Sequence, residues 1–148
     1  MKDVPYIILA VSIYVAAVID YKTRTIPIFL FPISGIIFTV SYLLINGTFS
    51  FLNGLIAAVI GILSFLALAL FFDGGGGDII MMATIGWCVG IKTFIYIVII
   101  SCIINNIVVI YLKTRKKQSI TKTTVPFAPS VALSFTTVWM IGFIRCFT

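Results

Sequence analysis

The 148 residues of this chain are 61% hydrophobic and only 9% charged, and their mean hydropathy is +1.25. A soluble domain of this size needs more charged residues on its surface than this chain has. The composition therefore predicts a single all-α integral membrane domain, residues 1–148, in a lipid bilayer. The chain lacks histidine and glutamate, the usual parts of zinc sites and serine hydrolases, and its net charge of +6 forms no basic domain for nucleic acid.

Six apolar segments follow one another along the chain and are candidates for membrane-spanning helices. They lie at 5–20, 27–46, 50–72, 79–90, 93–112 and 125–145. Polar or glycine-rich turns separate them. The weakest break is at 90–92, so residues 79–112 could also form one long broken helix. We expect six transmembrane helices.

Lysine and arginine are unevenly divided between the two sides of such a bundle. With the N-terminus outside, the three outer basic residues are Lys2, Lys92 and Arg145. The seven on the inner side are Lys22, Arg24, Lys113, Arg115, Lys116, Lys117 and Lys122. The positive-inside rule therefore predicts a multi-pass protein of the cell membrane with its N-terminus outside.

Four aspartates are the only acidic residues, and two of them fall at a similar depth. Asp20 ends the first segment and Asp78 opens the fourth, both toward the cytoplasm. Measured from Asp3 and Lys92 as outer boundaries, they lie about 26 and 21 Å away, short of a hydrocarbon core of roughly 30 Å. Ionisable groups inside the boundary are candidates for a functional site. Asp73 is more simply a helix cap or an interfacial ion-pair partner.

A pair of carboxylates suits the chemistry of aspartic proteases. Two neighbouring carboxylates resist simultaneous ionisation, so the pair holds one proton, activates water with one member and donates a proton with the other. The glycine run 74–77 before Asp78 predicts a loop that dips to the depth of Asp20, with positive φ values and close backbone approach. Alternatively, the two acids could bind cations in a small ion-coupled carrier, although carriers place such sites near the midplane.

Three segments, in order and spacing, resemble motifs of the type IV prepilin peptidase family, a group of GxGD intramembrane aspartyl proteases. DYKTRTIP at 20–27 resembles the family's aspartate at the end of helix 1 followed by Ile-Pro. GGGDIIMMATIG at 75–86 contains its G-x-G-D motif, and VPFAPSVAL at 125–133 resembles its Pro-Phe-x-Pro entry to the last helix. The resemblance covers nearly the whole chain.

This resemblance implies a six-helix GxGD aspartyl protease fold that faces its active site to the cytoplasm. It implies an endopeptidase that removes the short basic leader from prepilins or pseudopilins, commonly after a glycine. Carried over by position, Asp20 and Asp78 are the catalytic pair. Substrate-binding or loop roles are expected for Gly75, Gly76, Gly77, Asp73, Pro27 and Pro126.

The chain departs from the family in three ways. Ile80 and Ile28 stand where the family often has a lysine and an asparagine. The cytosolic insertion with C-x-x-C motifs is absent from the sequence, so no N-methyltransferase activity is expected. A presenilin-type protease would show Pro-Ala-Leu where this chain has PSVAL at 129–133. No cofactor or metal is expected, and the sequence leaves the particular prepilin and the oligomeric state open.

Overall fold

The computed structural model of the chain describes residues 4–72, 76–116 and 127–147. Within these ranges every regular element is helical, which confirms the all-α class for the described part of the chain. The five helices are α1 (Val4–Thr23), α2 (Leu30–Asn46), α3 (Phe51–Phe72), α4 (Gly76–Lys116) and α5 (Ala128–Phe147).

The helices have the apolar character of membrane segments. Among the described residues, two stretches are long and apolar enough to cross a membrane, Val4–Thr23 and Gly76–Tyr111. Shorter apolar stretches occupy the other three helices, at Leu30–Asn46, Phe51–Ala67 and Ala128–Gly142. Large apolar side chains are also exposed on each of the five helices, where a soluble bundle would carry polar groups.

The longest helix, α4, is broken at Gly90, which has φ 74° and ψ 170°. Gly61 of α3 lies against both parts of α4: a Cβ there would be 3.1 Å from the Met82 carbonyl oxygen and 3.1 Å from the Phe94 ring. Residues 82 and 94 of a straight helix would be about 18 Å apart. The chain therefore turns back toward α3 at Gly90, where the sequence predicts the weakest of its breaks.

The connection between α1 and α2 differs from the expected one. The first helix continues past Asp20 to Thr23 and ends at Arg24, whose φ of 55° is left-handed and whose N–H donates to the Asp20 carbonyl at 2.9 Å. The second helix begins at Leu30, whose N–H donates to the Pro27 carbonyl at 3.1 Å. Asp20 therefore lies inside the last turn of α1, and Pro27 lies in a turn, where its fixed φ is tolerated.

Helices α3 and the first half of α4 pack backbone against backbone. A Cβ on Gly54 would lie 2.6 Å from the Trp87 carbonyl oxygen, and one on Gly86 would lie 2.7 Å from the Ala57 carbonyl oxygen. Small residues permit such approach between helices in membranes, where packing replaces the hydrophobic effect. This interface fixes the half of α4 that carries Asp78.

Candidate active site

Asp20 projects from the last turn of α1 into the interior of the bundle. Its side chain is only 7% exposed. Its Oδ2 accepts a hydrogen bond from the backbone N–H of Ala128, the first residue of α5, at 3.1 Å. The first N–H groups of a helix have no partners within the helix, and the helix N-terminus attracts carboxylates. Asp20 therefore caps α5, and this bond fixes the direction of its carboxyl group.

Asp78 lies in the first turn of α4 and has a different environment. Its Oδ1 atom is buried and has no hydrogen-bond partner among the described residues. The Asp20 carboxylate is near enough for its charge to act directly on Asp78. A buried polar atom without a partner costs roughly 1–3 kcal/mol, and a catalytic role is one explanation for such an atom in a native protein. The structure thus brings the two sequence-predicted acids together.

Gly76 and Gly77 form the first turn of α4, directly before Asp78. Neither has a positive φ, so the expected irregular loop with left-handed backbone is wrong for these two residues. Gly77 has another reason to be glycine: a Cβ there would lie 2.7 Å from the Cβ of Ile26 and 3.2 Å from its carbonyl oxygen. A Cβ on Gly76 would meet nothing within 4 Å. Contact between Gly77 and Ile26 joins the DYKTRTIP and GGGD segments.

The remaining expected site residues are distributed as follows. Pro27 lies in the turn before α2, where its carbonyl accepts from Leu30. Ile28 is 54% exposed, and Ile80 is partly buried and packs against the hydrophobic core. Four further positions lie outside the described residues: Asp73, Gly74, Gly75 and Pro126.

Two residues of the site were not predicted from the sequence. Ile26 supplies the surface against which Gly77 packs, and Ala128 supplies the N–H that holds Asp20. Both residues lie within segments that resemble family motifs, and this resemblance was the only indication in the sequence that they belong to the site. Neither side chain carries a reactive group, so residue type alone does not mark Ile26 or Ala128 as part of a site.

The comparisons with known proteins point in one direction. A family model described as the type IV leader peptidase family matches residues 7–110, which is more than half of the chain and includes both Asp20 and Asp78. The segment at 125–133 lies outside this match. No curated protein and no solved structure matches the chain.

Proposed function

The chain belongs to the type IV leader peptidase family, and we propose that it is a membrane-embedded aspartic endopeptidase that removes the short basic leader from prepilin-like proteins. The observation that carries this proposal is the convergence of Asp20 and Asp78 from two different helices. A pair of carboxylates can hydrolyse peptide bonds without metal or cofactor. A peptidase family gives no support to the alternative of an ion-coupled carrier.

The two carboxylates divide the work of hydrolysis. Asp20, whose Oδ2 already accepts the Ala128 N–H, uses its other oxygen to take a proton from water as that water attacks the scissile carbonyl carbon. Asp78 holds the proton of the pair and donates it to the carbonyl oxygen, which gives a tetrahedral diol. The C–N bond then breaks as one diol hydroxyl returns a proton to Asp78 and Asp20 protonates the leaving nitrogen.

The position of the pair suits a substrate that is half soluble and half embedded in lipid. We place six crossings in the membrane, with α4 supplying two that meet at Gly90. The first half of α4, residues 76–89, is about 21 Å long, shorter than a hydrocarbon core of roughly 30 Å. Asp78 then lies just inside the cytoplasmic boundary, where a basic leader ends and an apolar helix begins.

Leader removal is tested by co-expression with candidate prepilins from competence, adhesion and secretion systems. We expect a gel shift of at least one of them, caused by loss of its leader. The matched control is the same prepilin with valine in place of the glycine before the scissile bond, which should stay uncut. Failure of folded, monodisperse enzyme to cut a prepilin of any of these three classes contradicts the proposed function.

The membrane orientation has an independent test. A cysteine introduced at Lys116, in a variant without Cys88, Cys102 and Cys146, should react with an impermeant thiol reagent only from the cytoplasmic side. Labelling of sealed cells from outside would invert the bundle and would place the aspartates on the wrong face for prepilin leaders.

A further inference from the structure

A side chain of α3 replaces the hydrogen bond that α4 loses at its kink. In an unbroken helix the N–H of Ile91 would donate to the carbonyl of Trp87. Here it donates to Oδ1 of Asn53 at 3.2 Å. A Cβ on Gly90 would lie 2.7 Å from Nδ2 of the same side chain. The Asn53 amide is therefore packed against the kink and satisfies the group that the kink exposes.

The backbone at Gly90 requires such support. Its φ of 74° and ψ of 170° lie in a region that essentially only glycine adopts, and a conformation of this kind persists where the surroundings fix it. The surroundings here come from the start of α3. Asn53 holds the kink itself, and the adjacent Gly54 packs against the Trp87 carbonyl.

The kink also controls the opposite end of the half-helix. Asp78 is separated from Gly90 by about 18 Å along the helix axis. A change of about 5° in tilt at Gly90 therefore moves Asp78 by about 1.5 Å, and a misplacement of about 1 Å can cost a catalytic group roughly 100-fold in rate. Oδ1 of Asp78 has no hydrogen bond to resist this motion among the described residues.

We infer that Asn53 is a positioning residue: its hydrogen bond at the Gly90 kink sets the angle between the two halves of α4 and thereby places Asp78 beside Asp20. Its effect on cleavage rests on the proposed function, whereas its effect on the geometry of the helices does not. Asn53 lies at the far end of the half-helix from the carboxylates and acts on them only through α4.

Substitutions at Asn53 separate the hydrogen bond from simple packing. Asn53→Leu keeps a similar size but removes the acceptor, and should lower kcat about tenfold while KM changes less than twofold. Asn53→Asp keeps an acceptor, and an acidic side chain suits the first turn of α3, so it should stay within about twofold of wild type. The matched control is Asn106→Leu, because Asn106 bonds to the Cys102 carbonyl of its own helix at 2.8 Å.

A second measurement reports the geometry without cleavage. Cysteines at Ile26 and Gly77, in a variant without the native cysteines, would have β-carbons 2.7 Å apart before relaxation. A disulfide needs β-carbons about 3.8 Å apart, so the pair itself shifts α4 by about 1 Å. Every variant carries the same pair, and only the difference in cross-linking rate between the Asn53 variants is compared. Oxidative cross-linking should be fast with Asn53 or Asn53→Asp and several-fold slower with Asn53→Leu.

The outcomes decide the inference whether or not the chain cuts prepilins. Unchanged cross-linking in Asn53→Leu overturns it, even if kcat falls, because the displacement of α4 is the claim. Equal impairment of Asn53→Asp and Asn53→Leu also overturns it, because the acceptor would then be irrelevant. If Asn53→Leu gives no monodisperse protein, Asn53→Ala is measured in its place. Slower cross-linking in a chain that cuts no prepilin would support the positioning role and contradict only the proposed function.

Discussion

The two ends of the first half of α4 are built in opposite ways. At the Gly90 end, α3 contacts the backbone closely through Asn53 and Gly54. At the other end, Gly77 touches Ile26, and Oδ1 of Asp78 has no partner among the described residues. The end that carries the proposed catalytic carboxylate is thus the one with a buried polar atom that lacks a hydrogen bond. The difference teaches that Asp78 is placed by the packing of its helix, while Asp20 is placed by a bond to α5.

The largest expected effect comes from removing either of the two proposed catalytic carboxylates. Asp20→Asn or Asp78→Asn should each reduce prepilin cleavage by at least about 1,000-fold, because each removes one member of a pair that acts as a unit. The double variant should be no worse than either single one. Initial rates of leader loss measure this, with membrane insertion and monodispersity as controls. Cleavage by either single variant at nearly the wild-type rate contradicts the assignment of the pair.

The thermal stability of the same variants sharpens the contrast between the two acids. Asp78→Asn should leave the melting temperature in detergent unchanged or raise it, because a neutral amide of the same shape replaces an ionisable group that is buried beside the Asp20 carboxylate. Asp20→Asn should change it little, since the amide oxygen can still accept the Ala128 N–H. A fall of more than about 4 °C for Asp78→Asn, the shift that roughly 1 kcal/mol gives in a small domain, would show that this carboxyl is a structural group.

The next effect concerns neighbouring glycines. Gly77→Val should lower the cleavage rate at least about tenfold, because its Cβ would lie 2.7 Å from that of Ile26 and would push α4 from the loop after α1. Gly76→Val is the matched control, since a Cβ at Gly76 meets nothing within 4 Å, and it should stay within about threefold of wild type. Both rates are normalised to extracted monodisperse protein. Equal rates for the two variants would show that contact with Ile26 does not position the site.

The sequence predicted the features that depend on residue type and order. Hydropathy predicted the helical class, and the presence of only four acids directed attention to Asp20 and Asp78. The polar segment KTRTIP predicted a break after the first helix, but hydropathy could not place the start of α2, because Ile26-Pro27-Ile28 continues directly into its apolar run. The turn follows from the left-handed residue that ends α1 and from the hydrogen bond to the Pro27 carbonyl.

Tertiary contacts account for what the sequence missed. The glycine motif directed attention to Gly77, but the expected positive φ is wrong for this residue. Gly77 instead lies close to Ile26, and this contact forms only in the folded chain. Similarly, Gly90 was recognisable as a break, whereas its partner Asn53 lies in another helix. A sequence pattern shows where the backbone is unusual, and only the folded contacts show which residue supports it.

A moderate effect is expected at the packed end. Gly86→Ala would place a Cβ 2.7 Å from the Ala57 carbonyl oxygen, which is backbone and cannot move aside easily. Such overpacking should reduce the free energy of unfolding by about 1–3 kcal/mol and lower the melting temperature in detergent. Gly142→Ala is the control, since a Cβ there meets nothing within 4 Å. Identical melting temperatures for the two variants would show that the α3–α4 contact is looser than the structure indicates.

The smallest effect tests whether α3 alone places α4. Trp87 donates its indole N–H to the Thr39 hydroxyl of α2 at 2.9 Å. Thr39→Val removes this acceptor and should cost about 1 kcal/mol of stability, whereas Thr39→Ser keeps the hydroxyl and should cost less. Nine residues separate Trp87 from Asp78, half a turn around the helix, so the bond lies opposite the carboxylate and kcat should not change. A fall in kcat of more than about threefold in Thr39→Val, with Thr39→Ser normal, would show that α2 shares in placing Asp78.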